Sequence, residues 1–214
     1  MDNIKRFMMP TNTHIGGWFF PEKLIDSIWD YWNNPSLKIQ ELKSPGTITE
    51  ENVFVVDKKA KDSIEKAIQP HNNEEPWAEY ELLLQKCLED YVKHYPASAK
   101  TDSFSIRDQY QVQWYPKNGG FKILHHENLG NSSSAHRHLV FMTYLNDIPD
   151  GGTHFPSQNI TTPSIKGLTL IFPAYFTHPH KGQISKKHEK MIVTGWYNFN
   201  TLYDDLNKTS NNYV

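Results

Sequence analysis

Apolar positions along this chain change their period near residue 100. Before it they recur every three to four residues, as on a helix face. PEKLIDSIWDYWNNP (21–35) opens with proline and sets Leu24, Ile25, Ile28, Trp29 and Trp32 on one side before Asn-Asn-Pro ends it. AEYELLLQKCLEDYVKHYP (78–96) carries an apolar stripe of Tyr80, Leu83, Leu84, Cys87, Tyr91 and Tyr95, the mark of a packing face. KDSIEKAIQP (61–70) predicts a shorter helix closed by Pro70, and EENVFVVD (50–57) predicts a strand.

Beyond about residue 101 the runs become β-branched, aromatic and often alternating: SFSIRDQYQVQWYP, GGFKILHH, HRHLVFMTYLND, THFP, GLTLIFPAYF and EKMIVTGWYNF. Turn chemistry separates them, as in Pro116-Lys-Asn-Gly-Gly, Asp147-Ile-Pro-Asp-Gly-Gly and Lys166-Gly167. Many short strands without intervening helices predict an α+β architecture. Its core is a double-stranded β-helix, a cupin-like jelly roll, with flanking N-terminal helices. The expected division is 1–100 as a helical support region, 101–200 as the jelly-roll core and 201–214 as a polar, fraying tail, all in one compact domain.

Charge adds an exclusion. Lys plus Arg number 22 against 24 Asp plus Glu, so no strong field draws the chain to nucleic acid or to a membrane surface. The single Cys87 rules out an internal disulfide framework, which favours a reducing cytoplasm. No stretch approaches the length of a membrane span or of a signal-peptide core. The oligomeric state is not legible.

Of the eleven histidines, eight fall between residues 125 and 188. Within KILHHEN, an extended reading puts His125 and Glu127 on one face and His126 on the other, where packing or support of the ligands is its expected role. A nitrogen and a carboxylate oxygen are two ligands of a divalent ion, and a third must come from FTHPHKG, at His178 or His180. Two histidines and a carboxylate on one face leave the opposite positions open, as in the triad of non-haem Fe(II) oxygenases; the same set can hold zinc or manganese. H-x-E alone is also what any polar strand end offers. Lys190, ten residues past His180, opens the run KMIVTGW; if it faces inward, Ile192 and Thr194 share its side. An ammonium inside a barrel is costly unless it meets an anion such as a carboxylate.

Four segments in order carry a resemblance: WYPKNGGFKILHHE, RHLVFMTYLNDIPDGG, GLTLIFPAYFTHPHKG and EKMIVTGW. From about Tyr110 to Phe199 the chain resembles the Fe(II)- and 2-oxoglutarate-dependent dioxygenases, in their prolyl 4-hydroxylase-like branch of bacteria and phages. The resemblance implies His125, Glu127 and His180 as the Fe(II) ligands. It implies Lys190 as the holder of the distal carboxylate of 2-oxoglutarate, with Thr194, Tyr144 and Tyr115 assisting and Trp196 as a pocket wall. Arg137 is a candidate for substrate contact or for support of the ligands. The implied partners are 2-oxoglutarate, O2 and a peptide or small-molecule substrate, peptidyl proline first; whether ascorbate is needed stays open.

Two departures stand out. Glu127 replaces the family's usual aspartate, and the family's GGET-x-F segment reads Gly151-Gly-Thr-His-Phe155, one residue short, which weakens the case for Thr153 as a functional residue. The competing readings are hydroxylation of a free amino acid or metabolite, a cupin-like metal binder without catalysis, and a purely structural jelly roll. Lys190 speaks against the metal binder, which has no use for an internal cation.

Overall fold

The computed structural model describes residues 4–10, 12–50 and 53–210. The strands are β1 (Lys5–Phe7), β2 (Gly16–Phe19), β3 (Ser44–Pro45), β4 (Ile48–Glu50), β5 (Val53–Val55), β6 (Lys61–Asp62), β7 (Ile64–Ile68) and β8 (Phe104–Ile106). They continue as β9 (Tyr110–Tyr115), β10 (Gly120–Phe121), β11 (Arg137–Tyr144), β12 (Ile148–Phe155), β13 (Ile160–Ser164), β14 (Leu168–Pro173), β15 (Lys181–Gly182) and β16 (Lys190–Phe199). Among the described residues four α-helices accompany them: α1 (Glu22–Asn33), α2 (Leu37–Glu41), α3 (Trp77–His94) and α4 (Asn200–Ser210).

The major sheet is antiparallel in the order β1-β2-β14-β11-β16-β9-β7-β3, with β8 also on β16; facing it lie the small sheets β13-β12-β15 and β10-β6. This is the expected jelly roll. Its strands alternate between two cores, as a period of two requires. Leu139 and Phe141 on β11, Ile171 on β14, and Met191, Val193 and Tyr197 on β16 face α1 and α3, where they meet Ile28, Trp77, Tyr80, Leu84 and Tyr91. Val140, Met142, Tyr144, Leu168, Leu170, Phe172 and Ile192 face the barrel interior. The two strongest helical patterns therefore form one slab behind the sheet. Across that junction the buried Tyr80 hydroxyl meets Thr143 Oγ1 at 2.9 Å, which in turn meets Thr169 Oγ1 at 2.8 Å.

Several expectations need correction. Residues 61–70 are not a helix but β6 and β7, and β7 is laid along β9 with Glu65 opposite Gln113. The three-to-four spacing of Ile64, Ala67 and Ile68 suits a helix, but sheet pairing overrides local preference. The region expected to be helical support thus contributes β1, β2, β3 and β7 to the major sheet itself. Of the expected strand 50–57, Glu50 ends β4 and Val53–Val55 form β5, which pairs antiparallel with β4; 51 and 52 lie outside the described residues. The expected polar tail begins as helix α4, and residues 211–214 lie outside the described residues. Among the described residues, no helix is long and apolar enough to cross a membrane.

Candidate metal centre and its cavity

KILHHEN is a loop rather than the predicted strand end. Past Phe121 it is held by a single bridge, in which His125 N–H donates to the His180 carbonyl at 3.0 Å and His180 N–H to the His125 carbonyl at 2.8 Å. Glu127 and Asn128 then donate their N–H groups to Ala174, at 3.0 and 2.9 Å. Backbone pairing, not alternation along one strand, sets the two halves of the centre side by side.

Donor atoms of His125, Glu127 and His180 lie within 4.8 Å of one another. Glu127 Oε1 is 3.3 Å from His125 Nε2 and 3.6 Å from His180 Nε2. Each imidazole uses its other nitrogen on a backbone carbonyl: His125 Nδ1 on Ile123 and His180 Nδ1 on His178, both at 3.0 Å. Those bonds commit Nδ1 as the donor to the backbone and turn each Nε2 toward the shared centre. Phe121 stacks on the His125 ring at 3.7 Å between centroids and fixes its plane.

The second carboxylate oxygen is occupied elsewhere. Trp196 Nε1 donates to Glu127 Oε2 at 3.1 Å, and Arg137 Nη1 lies 3.4 Å from the same oxygen while also reaching the Glu127 carbonyl at 3.2 Å. The guanidinium lies 3.6 Å over the Trp196 ring. The extra methylene of Glu127, relative to the usual aspartate, is accommodated with Oε1 inward and Oε2 tethered. Burial on its own would raise the Glu127 carboxyl, but hydrogen bonds and charge from His125 and His180 hold it well below the usual carboxylate range. Two imidazoles and one ionised carboxylate, with the far side open to the cavity, form a donor set that fits Fe(II).

That cavity has a volume of about 900 Å³, and Tyr115, Tyr144, Lys190, Ile192, Thr194 and Trp196 line it together with the triad. The inward parity expected for Lys190, Ile192 and Thr194 holds. Lys190 is buried, its Nζ donating to the Gln183 carbonyl at 3.3 Å and lying 5.2 Å from the Tyr115 ring centre. Burial lowers its pKa to about 8. Burial takes that ammonium out of bulk water, a cost that an anionic partner would offset.

The three hydroxyls expected to assist are all present in the wall, with their protons already placed. Thr194 Oγ1 donates to the Phe141 carbonyl at 3.1 Å, Tyr144 to Thr153 Oγ1 at 2.7 Å and Tyr115 to Gln113 Oε1 at 2.5 Å. Burial pushes the Tyr144 hydroxyl up to about 12, against lowering by Thr153 and Thr162. Burial, then the charges of Glu65 and Glu127, hold the Tyr115 hydroxyl well above its ordinary value. Both therefore remain protonated. Thr153, doubtful in the sequence, is buried and carries Tyr144.

Other histidines leave the picture. His178 does not share the cavity with His180: it is buried, with Nε2 at 2.8 Å from the Thr13 carbonyl and Nδ1 at 2.9 Å from Thr177 Oγ1. His136 contacts Asp108 and His138 the Ser98 carbonyl. His126 does line the cavity, contrary to its expected outward placement, and its buried Nδ1 has no partner among the described residues. The sequence reading missed Lys61, Glu65 and Gln113, which also line the wall. The helical reading of 61–70 hid the two acid–base members, although Lys61, Ser63 and Glu65 do alternate along the chain.

Residues 110–198 match the family described as the 2OG-Fe(II) oxygenase superfamily. No curated protein matches the chain. Among solved structures the fold is similar to a Pseudomonas putida prolyl-4-hydroxylase (TM-score 0.64, 14% identity, covering 87% of this chain and 93% of that one). It is also similar to a Trichoplax adhaerens prolyl hydroxylase in complex with a hypoxia inducible factor oxygen degradation domain peptide fragment (TM-score 0.67, 17% identity, 90% and 87%). A third is the viral collagen prolyl hydroxylase of Paramecium bursaria Chlorella virus-1 in its 2OG complex (TM-score 0.59, 15% identity, 87% and 96%).

Proposed function

We propose, for a chain that carries a 2OG-Fe(II) oxygenase region and is a 2-oxoglutarate- and Fe(II)-dependent dioxygenase, that it hydroxylates peptidyl proline. In this reading His125, Glu127 and His180 hold the iron, and Lys190 fixes the far carboxylate of 2-oxoglutarate. The observation that carries it is one cavity holding both a three-donor centre and a buried ammonium without a carboxylate partner among the described residues. A metal store needs the first and not the second.

The bound iron supplies oxygen activation: substrate C–H, O2 and 2-oxoglutarate become substrate C–OH, succinate and CO2. The chain's own residues bind and orient. Lys190 sets the register of the cosubstrate by a charge-assisted contact at its far end. Arg137 and Trp196 keep Glu127 presenting one oxygen, so that an iron held by the triad would meet a single oxygen of this side chain. Phe121, Phe155 and Phe172 surround the two imidazoles and keep water from that side. Peptidyl proline as the substrate draws on the likeness to prolyl hydroxylases, one of them in complex with a peptide fragment.

The test is Fe(II)-dependent release of succinate, coupled to the gain of one oxygen atom on a proline-containing peptide by mass spectrometry. Both should vanish in His180→Ala. Oxygenation of a free amino acid in place of any peptide would replace the substrate assignment.

A further inference from the structure

Lys61, Ser63 and Glu65 share one face of the β6–β7 segment, and the two ionic side chains form part of the cavity wall. Lys61 Nζ lies 2.6 Å from Glu65 Oε1, and the Ser63 hydroxyl donates to the same oxygen at 2.8 Å. Lys61 and Glu65 are only 7% and 6% exposed. Gly46 makes room for them: a Cβ there would fall 2.1 Å from Ser63 Oγ and 2.7 Å from Glu65 Oε1. A buried ion pair adds little to stability, because desolvating both charges offsets their attraction. A pair set in a cavity wall has a second use, as a surface for a ligand.

Its position suits that use. The Lys61 ammonium lies 5.2 Å from the Phe121 ring centre, and that ring stacks on His125, so one aromatic ring separates the pair from the metal centre. On the next strand Gln113 lies opposite Glu65 and accepts from the Tyr115 hydroxyl. Among the described residues the remaining Lys61 N–H groups and Glu65 Oε2 have no hydrogen-bond partner. The pair is neutral as a unit and selects no net charge. Its open valences are donors beside an acceptor, the complement of a group with an acceptor and a donor side by side.

Two groups have that form: a zwitterionic amino acid, and the N–H and C=O of one extended peptide residue, which point the same way. The rim separates them. Phe54, Leu124 and Leu129 line the cavity and are 69%, 53% and 54% exposed. Large apolar side chains gathered at a mouth are contact surface for a chain that continues outside it. A free amino acid would lie wholly within.

We propose that Lys61 and Glu65 are a main-chain-reading subsite for a peptide substrate. An extended, non-proline residue beside the hydroxylated one accepts from Lys61 through its C=O and donates to Glu65 through its N–H, while neighbouring apolar side chains rest on Phe54, Leu124 and Leu129. This rests on the reading of the site as a peptide hydroxylase and adds which residues recognise the chain.

The test is retention of a random peptide library with a fixed central proline on the full chain, loaded with Mn(II) and 2-oxoglutarate in the absence of oxygen. Lys61→Met/Glu65→Leu removes both charges and leaves none unpaired; Lys61→Glu/Glu65→Lys keeps a pair but exchanges donor and acceptor. Both should unfold at the wild-type temperature and still bind Mn(II) and 2-oxoglutarate by equilibrium dialysis, yet retain about tenfold less peptide, the loss expected for charge-assisted hydrogen bonds. N-methylation of the residue beside proline should weaken retained peptides as much on the wild type and have no further effect on either double variant. Wild-type retention by both double variants overturns the subsite. Retention of no peptide by a wild type that does bind Mn(II) and 2-oxoglutarate overturns the peptide class. A wild type that binds neither overturns the dioxygenase reading beneath it as well.

Discussion

The indole N–H of Trp196 reaches Glu127 Oε2 at 3.1 Å, so one carboxylate oxygen is spoken for before any metal arrives. Oε1 is the atom turned toward both histidines. The tether turns the carboxylate so that a single oxygen faces the two histidines.

Removing the tether should loosen the centre without removing a ligand. Trp196→Phe keeps the ring under Arg137 and loses only the donor, so Mn(II) or Fe(II) affinity should fall about tenfold, the low end for lost support of a metal ligand. Equilibrium titration with either ion checks it. Unchanged affinity would mean that Arg137 alone holds Oε2.

The pH dependence of cosubstrate binding follows from Lys190. Burial lowers the free ammonium to about 8, and a bound carboxylate favours the charged form, raising the pKa in the complex. Binding strength is therefore full below pH 8 and declines above it, by up to tenfold per pH unit until the pKa of the complex is reached. Isothermal titration of 2-oxoglutarate into the Mn(II) form across that range should show the bend. Lys190→Arg should flatten it, and Lys190→Met should weaken binding about 10- to 100-fold below pH 8, with the gap closing above it as the wild-type ammonium is lost.

The slab behind the sheet gives a separate expectation. Tyr80→Phe removes a buried hydroxyl whose partner, Thr143, keeps Thr169, so the cost should stay near 1 kcal/mol. Leu84→Ala, which empties a fully buried position against the sheet, should cost about 2–5 kcal/mol. Denaturant unfolding measures both.

Much of this was legible in the chain because the relevant signals are local. The inward parity of Lys190, Ile192 and Thr194 needs nothing beyond the two-residue period of β16, and the α1 and α3 stripes need only the helical one. Signals that depend on pairing were not. IEKAI in β7 has no preference strong enough to declare itself extended until β9 lies beside it. That one misreading hid Lys61 and Glu65, whose four-residue separation looks like an exposed helical ion pair. KILHHEN misled in the opposite sense: a strand argument put His125 and Glu127 together, whereas a loop pinned to His180 and Ala174 does so. His126 was misplaced for the same reason.

The most direct measurement is the metal stoichiometry of anaerobically prepared protein, taken together with 2-oxoglutarate binding. The wild type should take up one Fe(II) per chain. His125→Ala, Glu127→Ala and His180→Ala should each lose that uptake, and Lys190→Met should keep it while losing 2-oxoglutarate. Iron bound undiminished by the three alanine variants, or 2-oxoglutarate bound as tightly without the Lys190 ammonium, would contradict the account.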